Sequence, residues 1–263
     1  FTFGTALIGT NVRIAGPNTA ISVNDIVLWM GQENFYLYDG RIQTIPCSVR
    51  EYVFDDINRN QSFKFFSGSL SSNSEVWWYY CSESSDEIDR YVIYNYLEKV
   101  WYYGTLTRTA WNDRGAGNRL FPQAPGTDGV LYNHENGLDD GSQNPPVAIN
   151  AFVQSADFDI GDGQQFMLMN RVIPDLNFSD SVASAPQVTF TMGARNYNGS
   201  AAQTTENGNV IRSSVVSGTD NYTEQVQMRL RGRQMNLKVE SNTTGVKWRL
   251  GNPRLDVRPD GRR

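Results

Sequence analysis

The single histidine, His134, is the first residue to consider for catalysis. A Ser-His-Asp triad needs a histidine that takes a proton from the nucleophile. His134 lies among Tyr132, Asn133 and Asn136, a setting that is typical of a turn between short strands. The sequence therefore favours a structural role for His134 over a catalytic one.

Two stretches contain some of the oxygen ligands of a calcium loop. An EF-hand loop needs oxygen ligands at its first, third and fifth positions, followed by glycine. In residues 157–163 the fifth position is Gly161, and in residues 56–61 the sixth position is Gln61. We interpret both stretches as turns. No Cys and His residues have the spacing of a metal site, so we expect no metal and no other cofactor.

Four carboxylates, Glu83, Asp86, Glu87 and Asp89, occur within one short polar segment. Paired carboxylates hydrolyse glycosidic bonds when they face each other about 5 to 10 Å apart across a cleft. Four carboxylates on a single turn do not have that arrangement. We interpret the segment as a solvated turn or as a patch that contacts a basic neighbour, and we place Glu83, Asp86 and Glu87 among the expected subunit-interface residues.

Basic residues are concentrated toward the C-terminus. Arg229, Arg231 and Arg233 occupy every second position, and Arg254 and Arg258 follow. Because alternate residues of a strand face the same side, the first three lie opposite an apolar face. Such a surface can contact an acidic subunit, nucleic acid phosphates or solvent alone. We favour a subunit interface, because few aromatic residues lie between the basic ones, as single-strand binding would require.

Composition places the chain among proteins rich in short strands. It has 263 residues, with 13 Tyr, 13 Phe, 6 Trp, 23 Gly and a formal net charge of −5.

Charge is distributed unevenly along the chain. Residues 1–150 hold 10 Lys and Arg against 17 Asp and Glu, whereas residues 228–263 hold 10 Lys and Arg against 3 Asp and Glu. Such asymmetry favours head-to-tail assembly or an acidic partner. No apolar run reaches the length of about 18 residues that spanning a membrane requires, so we expect no membrane insertion.

The two cysteines, Cys47 and Cys81, occur in apolar segments. A free thiol in such a setting behaves as a small hydrophobic residue. One disulfide between them is compatible with the sequence but is not needed, since two cysteines cannot stabilise a protein of this size. We therefore expect stability to come from a packed core.

The expected elements are short antiparallel strands around an aromatic segment. Residues 76–81, 91–96 and 100–103 are nearly all aromatic or β-branched and are separated by polar turns, which predicts a three-strand meander. Residues 25–40 have the same pattern, and residues 127–137 are a shorter version. Spacings of 49 residues from Trp29 to Trp78 and 38 from Tyr94 to Tyr132 favour β-propeller blades. The alternative is an ordinary meander.

The second half of the chain predicts a different β architecture. The segment 138–146 contains two adjacent prolines, which are excluded from central strands, so we place the boundary between domains 1–147 and 148–263. Beyond it, apolar residues alternate with polar ones along several segments, as in a β-sandwich. The alternation changes phase at Gly232, which predicts a bulge or a turn. The fold class is therefore all-β: propeller-like meanders followed by a sandwich-like domain. Three blades are too few for a closed propeller, so we expect further residues upstream of Phe1.

Several C-terminal motifs resemble a recurrent pattern in structural proteins of short-tailed bacteriophages. They are Asp159-Ile-Gly-Asp-Gly-Gln-Gln-Phe166, Arg171-Val-Ile-Pro-Asp175, Arg231-Gly-Arg-Gln234, Trp248-Arg-Leu-Gly251 and Arg254-Leu-Asp-Val-Arg-Pro-Asp-Gly-Arg-Arg263. The propeller-like half is similar in kind to the tail hub or nozzle proteins of such phages, and the resemblance covers roughly residues 25–263. It implies a virion structural role without catalytic residues.

The resemblance also implies partners and a location. Tail nozzle proteins form a ring, usually a hexamer, below the portal and adaptor proteins, and the genome passes through the lumen. We therefore expect self-association, contacts with other tail proteins, and passage of DNA without specific binding. An acidic first half is suited to a channel that does not retain DNA, since negative walls repel phosphate.

Two alternatives remain at this point. A carbohydrate-binding or host-adhesion module would expose coplanar rings of Trp77, Trp78, Trp101 or Trp111 in a cleft, because aromatic faces stack on sugars. A glycoside hydrolase on a propeller would need two opposed carboxylates in a pocket. Burial of the tryptophans would favour the structural subunit instead.

Overall fold

The computed structural model describes residues 4, 7–114, 120–197, 199–200, 210–218 and 225–262. They form two compact units, Phe1–Asn136 and Gly137–Arg263. Almost all regular structure is β, as the sequence predicts. Within the described ranges the helices are α1 (Arg50–Asp55) and a 3₁₀ helix (Arg59–Lys64).

The first unit begins with a four-stranded antiparallel meander. Its strands, in chain and spatial order, are β1 (Ala20–Val23), β2 (Ile26–Met30), β3 (Phe35–Tyr38) and β4 (Ile42–Ile45). Asn24 and Asp25 connect β1 to β2 with φ angles of 47° and 63°. Asn and Asp tolerate this left-handed conformation, which a two-residue hairpin turn requires.

A second four-stranded meander follows and confirms the predicted aromatic one. Its strands are β5 (Phe66–Leu70), β6 (Glu75–Tyr80), β7 (Arg90–Asn95) and β8 (Val100–Thr105). Asn18, which precedes β1, forms a parallel bridge with Phe66 of β5, and Trp78 Nε1 donates to the Thr19 carbonyl at 2.9 Å. The sheets are neighbours in the manner of propeller blades, although they do not close into a ring.

The first unit also contains a helix and a short third hairpin. Within residues 41–53 only β4 is extended, and Arg50–Asp55 form α1. Its buried Val53 and Phe54 add to the core. The third blade is a two-stranded hairpin of β9 (Gln123–Pro125) and β10 (Leu131–Asn133), because few residues there are apolar enough to extend the sheet.

The second unit is built on two facing sheets. Its strands are β11 (Asp139–Asp140), β12 (Val147–Ala148), β13 (Ala151–Gln154), β14 (Met167–Ile173), β15 (Leu176–Asn177), β16 (Gln187–Arg195), β17 (Val210–Ser217), β18 (Val226–Gly232), β19 (Gln234–Ser241), β20 (Arg249–Leu250) and β21 (Arg254–Pro259). One sheet has the order β13-β19-β16-β17 and the other β18-β14-β21. Buried residues of both sheets, such as Met169 and Phe190, form one core, as in a sandwich.

The predicted change of phase at Gly232 is where the chain passes from one sheet to the other. Arg233 separates β18 from β19, and its N–H donates to the Arg195 carbonyl at 2.7 Å. A Cβ on Gly232 would lie 2.8 Å from that of Ala194. Glycine therefore permits the close approach of the corner to β16.

The C-terminal region ends in a strand that its composition does not predict. Within residues 245–251 only Arg249–Leu250 are extended. Residues 252–263 are mostly polar, yet they contain β21, which pairs with β14. Leu255 and Val257 pack against the core, and this burial stabilises a strand that is otherwise polar.

Along the chain, the division between the two compact units lies after Asn136, N-terminal to the boundary that we placed after residue 147. β11 pairs with β12, and the Asp139 carboxylate accepts hydrogen bonds from the Gly245 N–H at 2.8 and 3.0 Å. These contacts tie residues 139–148 to the second unit. The two prolines lie within the loop between β11 and β12.

Candidate interaction surfaces

The outer face of the β18-β14-β21 sheet collects most of the arginines that we predicted for an interface. In β18, Arg229 and Arg231 alternate with Met228 and Leu230, which are 2% and 4% exposed. Since successive strand residues point to opposite faces, both arginines lie on the face away from the core. Arg229 is exposed, and Arg231 is partly exposed.

The edge strand β21 adds Arg254 and Arg258 to this face. Both are exposed, and they alternate with Leu255 and Val257, which pack inward. In the strand register, Arg258 and Arg231 both oppose Leu168 of the central strand β14. Adjacent strands are about 4.8 Å apart, so the two arginines flank Leu168 from either side.

The central strand contributes a basic residue that the sequence reading missed, Arg171. It lies opposite Gln227 and Asp256 in the register. Its Nε is 3.3 Å from Asp256 Oδ2, and Arg258 Nε is 3.5 Å from Asp256 Oδ1. One carboxylate thus contacts two guanidinium groups. The arginine face of this unit is defined by the residues Arg171, Arg229, Arg231, Arg254 and Arg258.

Arg231 and Arg233 share an aromatic neighbour but play different parts. Their guanidinium carbons lie 3.9 and 4.9 Å from the ring centroid of Phe166, at cation–π distance. Arg231 also pairs with the Asp260 carboxylate. Arg233 lies in the corner between the sheets and donates to the Arg262 carbonyl at 3.4 Å. The predicted set is thus divided, and Arg233 belongs to the corner rather than to the arginine face.

The predicted acidic residues lie in an ordered turn between β6 and β7, residues 82–89, here named the acidic turn. Asp89 closes it: its carboxylate accepts from the Ser82 N–H and the Ser82 hydroxyl, both at 2.7 Å. Arg90 Nη1 lies 3.0 Å from the same carboxylate. The Asp89 carboxylate therefore has a structural role, because it connects the two ends of the turn.

The rest of the acidic turn is fixed by contacts with the 3₁₀ helix. Lys64 Nζ lies 2.6 Å from Glu87 Oε1 and donates to the Asp86 carbonyl at 2.7 Å. Gln61 donates to the Asp86 carboxylate at 3.0 Å. Glu83, Asp86 and Glu87 are all exposed. The turn presents these three carboxylates on an anchored backbone.

The aromatic side chains of the first unit are packed against one another. Trp78 is fully buried, and Trp77 is 8% exposed. Trp77 and Trp111 stack with centroids 5.3 Å apart, and Trp111 Nε1 donates to the Ser69 carbonyl at 2.7 Å. Trp101 Nε1 donates to the Pro46 carbonyl at 2.8 Å. Each ring therefore has a structural partner within the unit.

His134 and the two calcium-like stretches also make structural contacts. Arg108 Nε donates to His134 Nε2 at 2.9 Å, so that nitrogen is an acceptor rather than a free base. Asp157 pairs with Arg195 at 3.0 Å, and Asp56 with Arg90 at 3.3 Å. Among the residues that the structure describes, no three His, Cys, Asp or Glu side chains are grouped as a metal site would require.

Cys47 and Cys81 are both free thiols. Burial raises the pKa of each thiol to about 11. At neutral pH both side chains are therefore uncharged. A thiol in this state is a poor nucleophile, and both act as apolar core residues.

Comparison with known proteins leaves the family open. No family model and no curated protein matches the chain. Among solved structures, it is similar to the exo-β-1,3-galactanase of Phanerochaete chrysosporium crystallised with β-1,3-galactotriose, at 11% identity and a TM-score of 0.21. The match covers 88% of this chain but 65% of the galactanase chain. Similarity this weak supports no statement about fold or activity.

Within the described ranges, no helix has the length and apolarity needed to cross a membrane.

Proposed function

We propose that this chain is a non-enzymatic structural subunit of a short-tailed phage tail. Several copies form a ring-shaped nozzle or hub, a hexamer in the arrangement that the sequence resemblance implies. The ring contacts portal, adaptor and other tail proteins, and genomic DNA passes through it without specific binding. The chain is located in the virion and does not insert into membranes.

The observation that carries this proposal is where the aromatic residues lie. Trp78, Tyr79 and Tyr80 of β6 are all fully buried, and they fill the core of the first unit. Large aromatic rings contribute strongly to core stability. A sugar-binding protein would expose such aromatic rings to its ligand. In this chain they are buried and stabilise the packing of the sheets, as we expect of a rigid structural subunit.

Among the described residues, the exposed aromatic side chains of β8 do not form a flat platform for the carbohydrate-binding alternative. β8 exposes two aromatic residues, Tyr102 at 44% and Tyr103 at 39%. Consecutive strand residues point to opposite faces, so these two rings cannot contact the same sugar. Tyr103 instead lies 4.1 Å from Tyr52, with the ring planes inclined by 40°, which is not a flat surface.

Native mass spectrometry of the purified chain, followed by negative-stain imaging, tests the proposal. We expect a closed ring with one fixed copy number and a central opening. A strict monomer at micromolar concentration would contradict the proposal. Binding of the monomer to glycans on an array, abolished by Tyr102→Ala or Tyr103→Ala, would favour the adhesion module instead.

A further inference from the structure

We propose that the arginine face of one copy binds the acidic turn of a second copy. This inference rests on the proposed function, since it names the contact that joins neighbouring subunits of the ring. The arginine face belongs to the second unit and the acidic turn to the first. Two different surfaces make a heterologous contact, and such a contact generates a ring when its rotation closes.

The charge of the face favours an anionic partner. Five guanidinium groups on three adjacent strands are balanced on the same face by Asp256, and Arg231 also pairs with Asp260 at the end of β21. The side chain of Arg258 is 71% exposed, and those of Arg171 and Arg231 are 43% and 39% exposed. A guanidinium group has five N–H donors, so the exposed side chains of Arg229 and Arg254 can donate to carboxylates of a partner.

The composition of the face favours a protein over a nucleic acid. Leu168 lies between Arg231 and Arg258, and Ile173, which is 41% exposed, opposes Arg254. Arginine with interleaved apolar side chains is typical of protein interfaces, whereas lysine is depleted there. Asp256 lies on the edge strand between Arg254 and Arg258, where its charge would oppose a continuous phosphate backbone more than a few separate carboxylates.

The acidic turn has the properties of the complementary surface. It presents Glu83, Asp86 and Glu87 to solvent. Because Lys64 and Gln61 hold it in place, little conformational entropy is lost when it binds, and this favours association. Opposite charges on two rigid surfaces also steer association and fix its register.

Charge reversal tests this contact in the full chain. The face-reversed variant is Arg229→Glu with Arg254→Glu, and the turn-reversed variant is Glu83→Arg with Asp86→Arg. These positions are exposed, so we expect both variants to fold, as circular dichroism and the urea midpoint would verify. A matched control reverses two exposed arginines elsewhere, Arg41→Glu with Arg212→Glu.

Each reversed variant alone is expected to be largely monomeric by native mass spectrometry, with assembly weakened about tenfold or more. An equimolar mixture of the two should assemble again, because each turn then meets a face of opposite charge. A chain carrying both reversals should also assemble, and the control should match the wild type.

Four results would overturn the inference. Rings that persist in both reversed variants would remove the contact but leave the proposed function standing, whereas a monomeric wild type would remove both. A mixture that fails to assemble would show that charge pairing is not the cause. Wild-type-like assembly together with loss of binding to a 20-base-pair DNA duplex in the face-reversed variant would assign the face to nucleic acid.

Discussion

At the scale of single residues, Trp78 contacts both four-stranded sheets of the first unit. Its ring lies 5.0 Å from that of Phe35 in β3, and its indole N–H donates to the Thr19 carbonyl. Trp78→Ala removes both contacts and leaves a cavity. We expect the free energy of unfolding to fall by about 3–5 kcal/mol, as measured by urea denaturation.

Leu97→Ala is a suitable control for this substitution. Leu97 is 71% exposed in the turn after β7, and truncating an exposed side chain changes stability by about 0.5 kcal/mol or less. Equal effects of the two substitutions would contradict the conclusion that buried aromatics stabilise the unit.

The buried thiols make stability depend on pH in the alkaline range. The pKa of each thiol is raised to about 11 in the folded chain, whereas an unfolded cysteine ionises near pH 9. The thiols therefore stabilise the fold fully below pH 9. That contribution is lost as pH rises toward 11, because the unfolded chain releases its protons first. Urea midpoints measured from pH 8 to 10 should fall.

The variant Cys47→Ala with Cys81→Ala separates the thiols from other groups. Burial also raises the pKa of Tyr79 and Tyr91 from the ordinary value of 10, so tyrosines act in the same direction at higher pH. Between pH 9 and 10 the variant should show a flatter dependence than the wild type. Identical slopes would mean that the thiols are not the cause.

At the scale of elements, a glycine allows Trp111 to lie against β5. A Cβ on Gly68 would be 2.4 Å from Trp111 Cδ1, so Gly68→Ala must displace the indole from its stack with Trp77. We expect a loss of about 1–3 kcal/mol. In a Trp111→Ala background the same substitution should cost much less, giving a clear coupling energy in a double-mutant cycle. Additive effects would contradict this.

The paired strands of the first unit could be predicted because local sequence and burial agree. Residues 75–80 are aromatic or apolar except for Glu75, and all five residues after it are buried. The turns on either side are polar, so the strand ends are also visible. The composition of β6 alone therefore predicts that this strand is buried in a core, even when its neighbouring strands are not known.

The parts that could not be predicted depend on pairing between distant segments. β21 has apolar residues only at Leu255 and Val257 before its final proline, and it is a strand because β14 pairs with it. Arg171 joins the arginine face for the same reason, since it is more than 50 residues from Arg229 in the chain. Register between distant strands is not visible in a local pattern.

At the scale of the whole molecule, the chain consists of two units that each have a core of their own. One core contains Trp78 and Phe35, and the other contains Met169 and Phe190. Five of the six tryptophans belong to the first unit, and the sixth is Trp248. Tryptophan fluorescence of the variant Trp248→Phe therefore reports the first unit alone.

This division predicts two separable unfolding transitions in the full chain, because each core can be lost without the other. Met169 is fully buried in the second unit, so Met169→Ala should destabilise that unit by about 2–5 kcal/mol. In the Trp248→Phe background, it should leave the fluorescence transition unchanged while lowering the midpoint seen by far-ultraviolet circular dichroism. Trp78→Ala should shift the fluorescence transition instead. If Met169→Ala shifted both signals equally, the two units would unfold as one cooperative body, and separate cores would not mean separate stability.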